Sequence, residues 1–300
     1  MAIQWFPGHM HKARKEIRKI MPKIDMIIEV LDARIPYSSE NPLVNELRGD
    51  KPCIKLLNKA DLADPQVTKL WIDHFQAERN IKASAVSQEQ PAQIKHTLQL
   101  CKQFFPERNL SVRPIRVLIM GIPNVGKSTV INTLAGRFIA KVGDEPAITR
   151  QQQTIILEGG IELMDTPGFL WPKIHNENSG YRLAVTGAIK NTAMEFEDVA
   201  AFAAEYLLQA YPDLLMQRYK LKQLPHDEID VLESIGRVRG CLQGGGRVNL
   251  HKVSELLINE FRSKQIGEIT LETPQMIAEE LAQLAAAQAA AEKAKPRRKK

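Results

Sequence analysis

A glycine-rich motif in the middle of the chain has the residue types and spacing of a phosphate-binding loop. Residues 121–128 read Gly-Ile-Pro-Asn-Val-Gly-Lys-Ser, between an apolar run at 116–120 and a helix-compatible run at 129–135. In such a turn, successive backbone N–H groups surround the α- and β-phosphates of a nucleotide, Lys127 reaches the β- and γ-phosphate oxygens, and the Ser128 hydroxyl binds Mg²⁺. The predicted nucleotide contacts of this motif are Asn124, Val125, Gly126, Lys127, Ser128 and Thr129.

A second motif, upstream, has the chemistry needed to read guanine. Asn58-Lys59-Ala60-Asp61 follows the apolar run 53–57. The Asp61 carboxylate can accept the N1 and N2 hydrogens of guanine, whereas adenine offers it neither. Asn58 would bond the base and fix the loop, and the aliphatic part of Lys59 would lie across the ring. Taken alone, the motif also fits a polar turn after a strand.

A short strand pattern at 80–86 contains Ser84-Ala85, and a backbone N–H from these small residues could contact guanine O6. The pair alone carries little information. Its position after the base-reading motif makes Ser84 and Ala85 predicted nucleotide contacts.

Residues beyond the phosphate loop could bind the metal and sense the γ-phosphate. A β-hairpin pattern, with strands at 154–157 and 161–164, leads into Asp165-Thr-Pro-Gly168. Asp165 would hold Mg²⁺, usually through water, and the Gly168 N–H would meet the γ-phosphate. Thr149, in the polar stretch 141–150, is the predicted residue that coordinates Mg²⁺ and senses the γ-phosphate; the nearby Thr154 competes for that role.

The elements that must position these groups are alternating strands and helices, which predict an α/β domain with a mostly parallel sheet flanked by helices. We expect this domain at residues 1–175. After a polar, linker-like stretch at 176–180, helical patterns predict a small all-α domain at 176–280, and residues 281–300 are expected to form a frayed helix and a disordered basic tail.

Composition limits the classes of function. The 300 residues are 44% hydrophobic and carry a formal net charge of +6, which suits a globular protein with a polyanionic partner. The three cysteines lie far apart without metal-ligand spacing, so we expect reduced thiols. The absence of a signal-like apolar core and of a long apolar stretch predicts a cytoplasmic chain without a membrane partner.

Taken together, the motifs resemble those of the Ras-like GTPase superfamily in circularly permuted order, because the base-reading residues precede the phosphate loop. With the opening Trp-Phe-Pro-Gly-His-Met at residues 5–10, the chain resembles the bacterial ribosome biogenesis GTPase A (YlqF) family to about residue 275. The resemblance implies a cytoplasmic enzyme that hydrolyses GTP to GDP with Mg²⁺. It further implies a factor for late assembly of the large ribosomal subunit that is stimulated by the ribosomal particle.

The same resemblance suggests roles for Asn124, His9 and Thr149, and the chain departs from the family pattern at Phe169 and at Ala147. Asn124 is a candidate K⁺ ligand, or else bonds within its loop. Phe169 stands where Ras-like enzymes place a water-orienting glutamine, so His9 is the candidate for positioning water, with a local turn or an RNA contact as alternatives. Thr149, implied to be the sensing threonine, follows Ala147 where relatives usually have glycine.

Two cationic stretches are candidates for contact with ribosomal RNA. The predicted helix at 11–20 has a strongly basic face, and residues 237–247 place arginines around a glycine-rich turn. Both also fit ordinary solvated surfaces. We expect a monomer away from the ribosome. The alternatives to a GTP-hydrolysing switch are an RNA-binding scaffold with a structural nucleotide and a phosphate-loop ATPase.

Overall fold

The structure is a computed structural model that describes residues 9–140, 153–168, 170–171 and 174–294. Within these ranges, one six-stranded sheet organises the first half of the chain. Its strands are β1 (Met26–Asp32), β2 (Cys53–Asn58), β3 (Ile81–Ala85), β4 (Ile115–Gly121), β5 (Gln153–Leu157) and β6 (Ile161–Asp165). Their order across the sheet is β3-β2-β1-β4-β6-β5, in which only β5 runs antiparallel, as a hairpin with β6. The predicted α/β fold is confirmed.

The strand sequences explain this arrangement. Every residue of β1 and β2 is buried, and in β4 only Arg116 is exposed, as expected for strands covered by helices on both faces. Because neighbouring parallel strands point the same way, their carboxyl ends meet at one edge of the sheet. That edge collects Asp32, Asn58, Gly121 and Asp165 from four different strands.

One helix of this domain precedes the sheet, and the other four connect its strands. They are α1 (His9–Ile20), α2 (Pro42–Arg48), α3 (Pro65–Gln76), α4 (Pro91–Lys102) and α5 (Lys127–Ala135). Helix α3, which the sequence analysis left out, begins with a strong local signal: Asp64 accepts hydrogen bonds from the N–H groups of Gln66 (2.8 Å) and Val67 (3.2 Å), and Pro65 occupies the first turn.

The second half of the chain begins with a helical module. Its helices are α6 (Glu177–Val185), α7 (Phe196–Ala210), α8 (Pro212–Tyr219), α9 (Glu228–Val238) and α10 (Leu250–Arg262). The core between them is formed by buried residues such as Ala203, Ile235 and Leu257. The linker expected at 176–180 is corrected, because Asn176 caps α6 by accepting from the Asn178 N–H and the helix starts at once.

After α10 the chain returns to the sheet domain and ends in α11 (Pro274–Ala294). The Trp71 indole donates to the Glu272 carbonyl (2.9 Å), and Arg182 of α6 pairs with Glu280 (2.5 Å) and Glu272 (3.6 Å). Residues 281–294 belong to α11, in line with the helix expected at the start of this stretch, and the boundary drawn at residue 280 falls inside α11. The last residues, 295–300, lie outside the described ranges.

Candidate functional site: a nucleotide site at the carboxyl edge of the sheet

The phosphate loop joins β4 to α5 in a conformation that only certain residues allow. Gly126 has φ of 85° and Asn124 has φ of 62°, both in the left-handed region. A Cβ on Gly126 would collide with the Asn58 side-chain amide, and one on Gly121 would lie 2.8 Å from the Val30 carbonyl oxygen. The loop thus presses against the base-reading motif, and the amino end of α5 faces the edge of the sheet, where a phosphate binds favourably.

Lys127 and Asp165 form a buried ion pair at this edge. Burial lowers the pKa of Lys127 and raises the pKa of Asp165, while the opposite charge of the partner counteracts both shifts. Asp165 therefore lies directly against the lysine that the motif assigns to the β- and γ-phosphates. A carboxylate and the neighbouring Ser128 hydroxyl are the oxygen ligands that Mg²⁺ prefers, so the residues present fit that metal.

Two further residues of the γ-phosphate end are anchored beside the loop. Thr166 donates its hydroxyl to the Ile119 carbonyl (2.9 Å), and a Cβ on Gly168 would lie 3.2 Å from the Pro123 nitrogen. Gly168 thus lies against the phosphate loop. Thr149 and Phe169 lie outside the described residues, and of His9 the structure describes only the backbone, as the first residue of α1.

The base-reading motif is bonded to the phosphate loop. The Asn58 side chain donates to the Val125 carbonyl (2.7 Å), and the Lys59 ammonium donates to the Asn124 carbonyl (2.6 Å) and to Asp32 Oδ2 (2.9 Å). Burial alone would raise the pKa of Asp32, but the adjacent Arg34 and Lys59 outweigh it and hold that pKa well below its usual range. A permanently charged Asp32 therefore fixes Lys59 in place.

Asp61 is oriented by a residue that the sequence analysis did not name. The Ser87 hydroxyl donates to Asp61 Oδ1 at 2.6 Å. Ser84 and Ala85 are the last residues of β3, opposite Leu56 and Leu57. The turn after β3 contributes Gln88 to the cavity beside Asp61. Contact of a backbone N–H of Ser84 or Ala85 with guanine O6 stays a prediction.

These residues surround a cavity of about 920 Å³ that begins at the phosphate loop. Its sheet-domain wall includes Asn58, Lys59, Asp61 and Thr129. Its other wall comes from the helical module, and the Asn124 amide crosses to it by donating to the Gly187 carbonyl (2.8 Å). The two roles expected for Asn124, a K⁺ contact or a bond within its loop, stay predictions beside this bond.

The phosphate-loop motif, Asp165 and the Asn58–Asp61 motif meet at one edge of the sheet in permuted chain order, which is the arrangement of a circularly permuted GTPase. Comparison with known proteins agrees. The family described as 50S ribosome-binding GTPase matches residues 116–223. The chain is 45% identical to "Ribosome biogenesis GTPase A" of Priestia megaterium over 282 residues, which cover 91% of this chain and 98% of that protein. It therefore belongs to the ribosome biogenesis GTPase A family, and the resemblance inferred from its motifs is confirmed.

More distant relatives extend the agreement. The Thermotoga maritima "Ribosome biogenesis GTPase A" is 30% identical over 275 residues, covering 92% of this chain and 96% of that protein. The solved structure of GNP-bound YlqF from T. maritima superposes with a TM-score of 0.62 at 27% identity, covering 88% of this chain and 99% of that chain. Within the described ranges, no helix is both long and apolar enough to cross a membrane.

Proposed function

We propose that this GTPase is a switch in late assembly of the large ribosomal subunit, binding ribosomal RNA and accelerated by the ribosomal particle. The observation that carries the proposal is that Asp61, Lys59 and the phosphate loop line one cavity, and that the helical module lines the other side of it. A nucleotide held there touches both domains. Its hydrolysis can change how the module is oriented toward a large partner, because Gly168, the proposed γ-phosphate sensor, precedes the first helix of the module, α6, by only nine residues.

The residues take distinct roles in hydrolysis. Lys127 and the N–H groups of 124–129 stabilise charge on the phosphates, Ser128 and Asp165 hold Mg²⁺, and Asp61 selects guanine. When bound, Mg²⁺ neutralises charge that develops between the β- and γ-phosphates. Thr149 and Gly168 would sense the γ-phosphate, and His9 would orient the attacking water. Asn124 would add a K⁺ contact while keeping its bond to Gly187.

The RNA-binding part of the proposal is supported by exposed cations on both domains. Helix α1 exposes Lys15, Arg18 and Lys19. On the helical module, the exposed Arg237 pairs with the exposed Glu233 at 2.6 Å, one turn away on the outer face of α9. Exposed pairs of this kind contribute little to stability, so phosphate groups of RNA can replace the carboxylate.

The division of the chain follows from these roles. We keep the predicted division into a GTPase domain at 1–175, an RNA- or ribosome-binding part at 176–280 and a basic extension at 281–300, although α11 runs across the boundary at residue 280. The extension continues α11 to Ala294. In this arrangement the chain acts as a cytoplasmic monomer until it meets the large subunit.

The test measures phosphate release from GTP by the full-length chain, with and without large-subunit particles, in KCl and in NaCl at equal ionic strength. We expect slow release alone, a rise of at least tenfold with particles, and a further rise in K⁺ over Na⁺. Particles that bind the protein without raising turnover would favour a scaffold with a structural nucleotide. Equal turnover in the two salts would remove the K⁺ contact only.

A further inference from the structure

The cavity beside Asp61 has a second wall that belongs to the helical module. The loop at residues 186–192, which follows α6, lines this wall together with Arg262 and Ser263 at the end of α10. The opposite wall carries the base-reading Lys59 and Asp61. The space that would accept guanosine therefore lies between the two domains and is not confined to the sheet domain.

The wall is held in shape by Arg262. Its guanidinium donates to the carbonyls of Ala184 (2.7 Å) and Val185 (2.8 Å) and to Asn191 Oδ1 (3.2 Å). Gly187 has φ of 82°, and a Cβ there would lie 3.3 Å from the guanidinium carbon. The end of α10 thus fixes the loop that follows α6, and the wall is preorganised.

The wall is also connected to the base-reading residues. Arg34 pairs with Asp32 (2.7 Å), and its guanidinium lies 5.5 Å from the centre of the Phe261 ring in α10. Asp32 is the carboxylate that also pairs with Lys59. A continuous set of contacts therefore runs from the lysine beside the base, through Asp32 and Arg34, to the helix that carries Arg262.

We infer that the helical module completes the guanosine end of the nucleotide site, with Lys190 and Asn191 providing polar contacts to the ribose and base edge. Both side chains are exposed and line the cavity. This inference rests on the proposed placement of guanine at Asp61. Because neither Asp165 nor Gly168 is among the described residues that line this cavity, GDP and GTP order the loop at 186–192 to the same degree, and hydrolysis acts on the module through the chain that follows Gly168.

The test replaces both exposed residues, as Lys190→Ala/Asn191→Ala, and measures affinity for GDP and for a non-hydrolysable GTP analogue by titration calorimetry. We expect both affinities to fall by the same factor, roughly three- to tenfold, as for loss of one or two hydrogen bonds. Lys252→Ala, an exposed change in α10 away from the cavity, is the matched control and leaves both affinities unchanged. Unchanged affinities in the double variant would overturn the inference.

Two further readouts separate this inference from the base site on which it rests. Amide hydrogen exchange of the loop at 186–192 should slow equally with GDP and with the analogue; slowing with the analogue alone would contradict the inference. Asp61→Asn should abolish tight guanine binding. If Asp61→Asn leaves GDP binding intact, the proposed placement of guanine at Asp61 is wrong. If Asp61→Asn weakens GDP binding and Lys190→Ala/Asn191→Ala does not, only the proposed contribution of the helical wall is wrong.

Discussion

Asp61→Asn changes the hydrogen-bonding pattern presented to the base while keeping the shape of the site. Asp61 lies in the turn Ala60–Leu62, and its Oδ1 accepts the Ser87 hydroxyl at 2.6 Å. An asparagine Oδ1 can accept the same bond, which leaves the amide nitrogen to face the base. The variant should therefore fold normally and differ only in what it recognises.

The size of the effect follows from the bonds that are lost. A carboxylate accepts both the N1 and N2 hydrogens of guanine, and a hydrogen bond to a charged group contributes about 1.5–3 kcal/mol. The asparagine amide would place a donor against the N2 amino group, so one bond is lost and the other loses its charge. A total of roughly 3–5 kcal/mol predicts GDP affinity reduced by about a hundredfold to a few thousandfold.

Xanthine provides the positive control, because it keeps N1–H but carries a carbonyl at C2. Asparagine can accept from N1–H and donate to that carbonyl, whereas aspartate repels it. Titration calorimetry with GDP and xanthosine diphosphate should show the wild type preferring GDP and Asp61→Asn preferring xanthosine diphosphate. GDP affinity within threefold of wild type, with no gain for xanthosine diphosphate, would refute the assignment of Asp61 to the base.

Three other expectations concern Ser87, Glu29 and Arg182. Ser87→Ala should weaken GDP binding by roughly three- to tenfold, since one hydrogen bond that orients Asp61 is lost. Ser84→Ala, inside β3, is the matched control. Equal losses of GDP affinity in calorimetry would contradict the role of Ser87 in orienting Asp61. Burial, then the charge of Glu40, raises the pKa of Glu29 from 4.5 to about 8. The folded state therefore binds this proton more tightly than the unfolded state does. The free energy of unfolding should fall by at most roughly 5 kcal/mol as pH rises from about 4.5 to about 8. Urea titrations of Glu29→Gln across this pH range should show a smaller fall. Arg182→Met leaves Glu272 buried without its ion pair and should lower the free energy of unfolding, measured in urea, by about 3–5 kcal/mol. The control Arg237→Met, in the exposed pair, should lower it by less than about 1 kcal/mol. Similar losses in the two variants would mean that the buried ion pairs stabilise the fold no more than the exposed one.

The parts of the site that the sequence predicts are those determined locally. Gly121–Ser128 and Asn58–Asp61 each follow an apolar strand, so a short stretch of chain specifies both the element and its chemistry. The end of β3 is different. The Val86 N–H donates to the Leu57 carbonyl (2.9 Å), and the Ala60 N–H donates to the Val86 carbonyl (3.1 Å), so pairing with β2 continues past Ser84 and moves the polar turn to Ser87.

The helical wall could not be read from the sequence for a similar reason. The bond from Asn124 to Gly187 joins residues 63 positions apart, and it depends on how α6 packs beside the sheet. Helix α3 is the contrary case, because its Asp64-Pro65 start is a local signal in the sequence. Helix-capping residues can therefore be predicted from the sequence, whereas contacts between domains cannot.

The permuted order gives the helical module two connections to the nucleotide site. At its start, residues 168–176 lead from the γ-phosphate end to α6. At its end, the chain returns to the base end, where the Ile269 N–H donates to the Leu62 carbonyl (3.1 Å) and the Leu271 N–H donates to the Arg34 carbonyl (2.8 Å). In the proposed switch, loss of the γ-phosphate acts on the first connection, while loss of the whole nucleotide also releases the second. Hydrolysis should therefore reorient the module, and only nucleotide release should free it from the sheet domain.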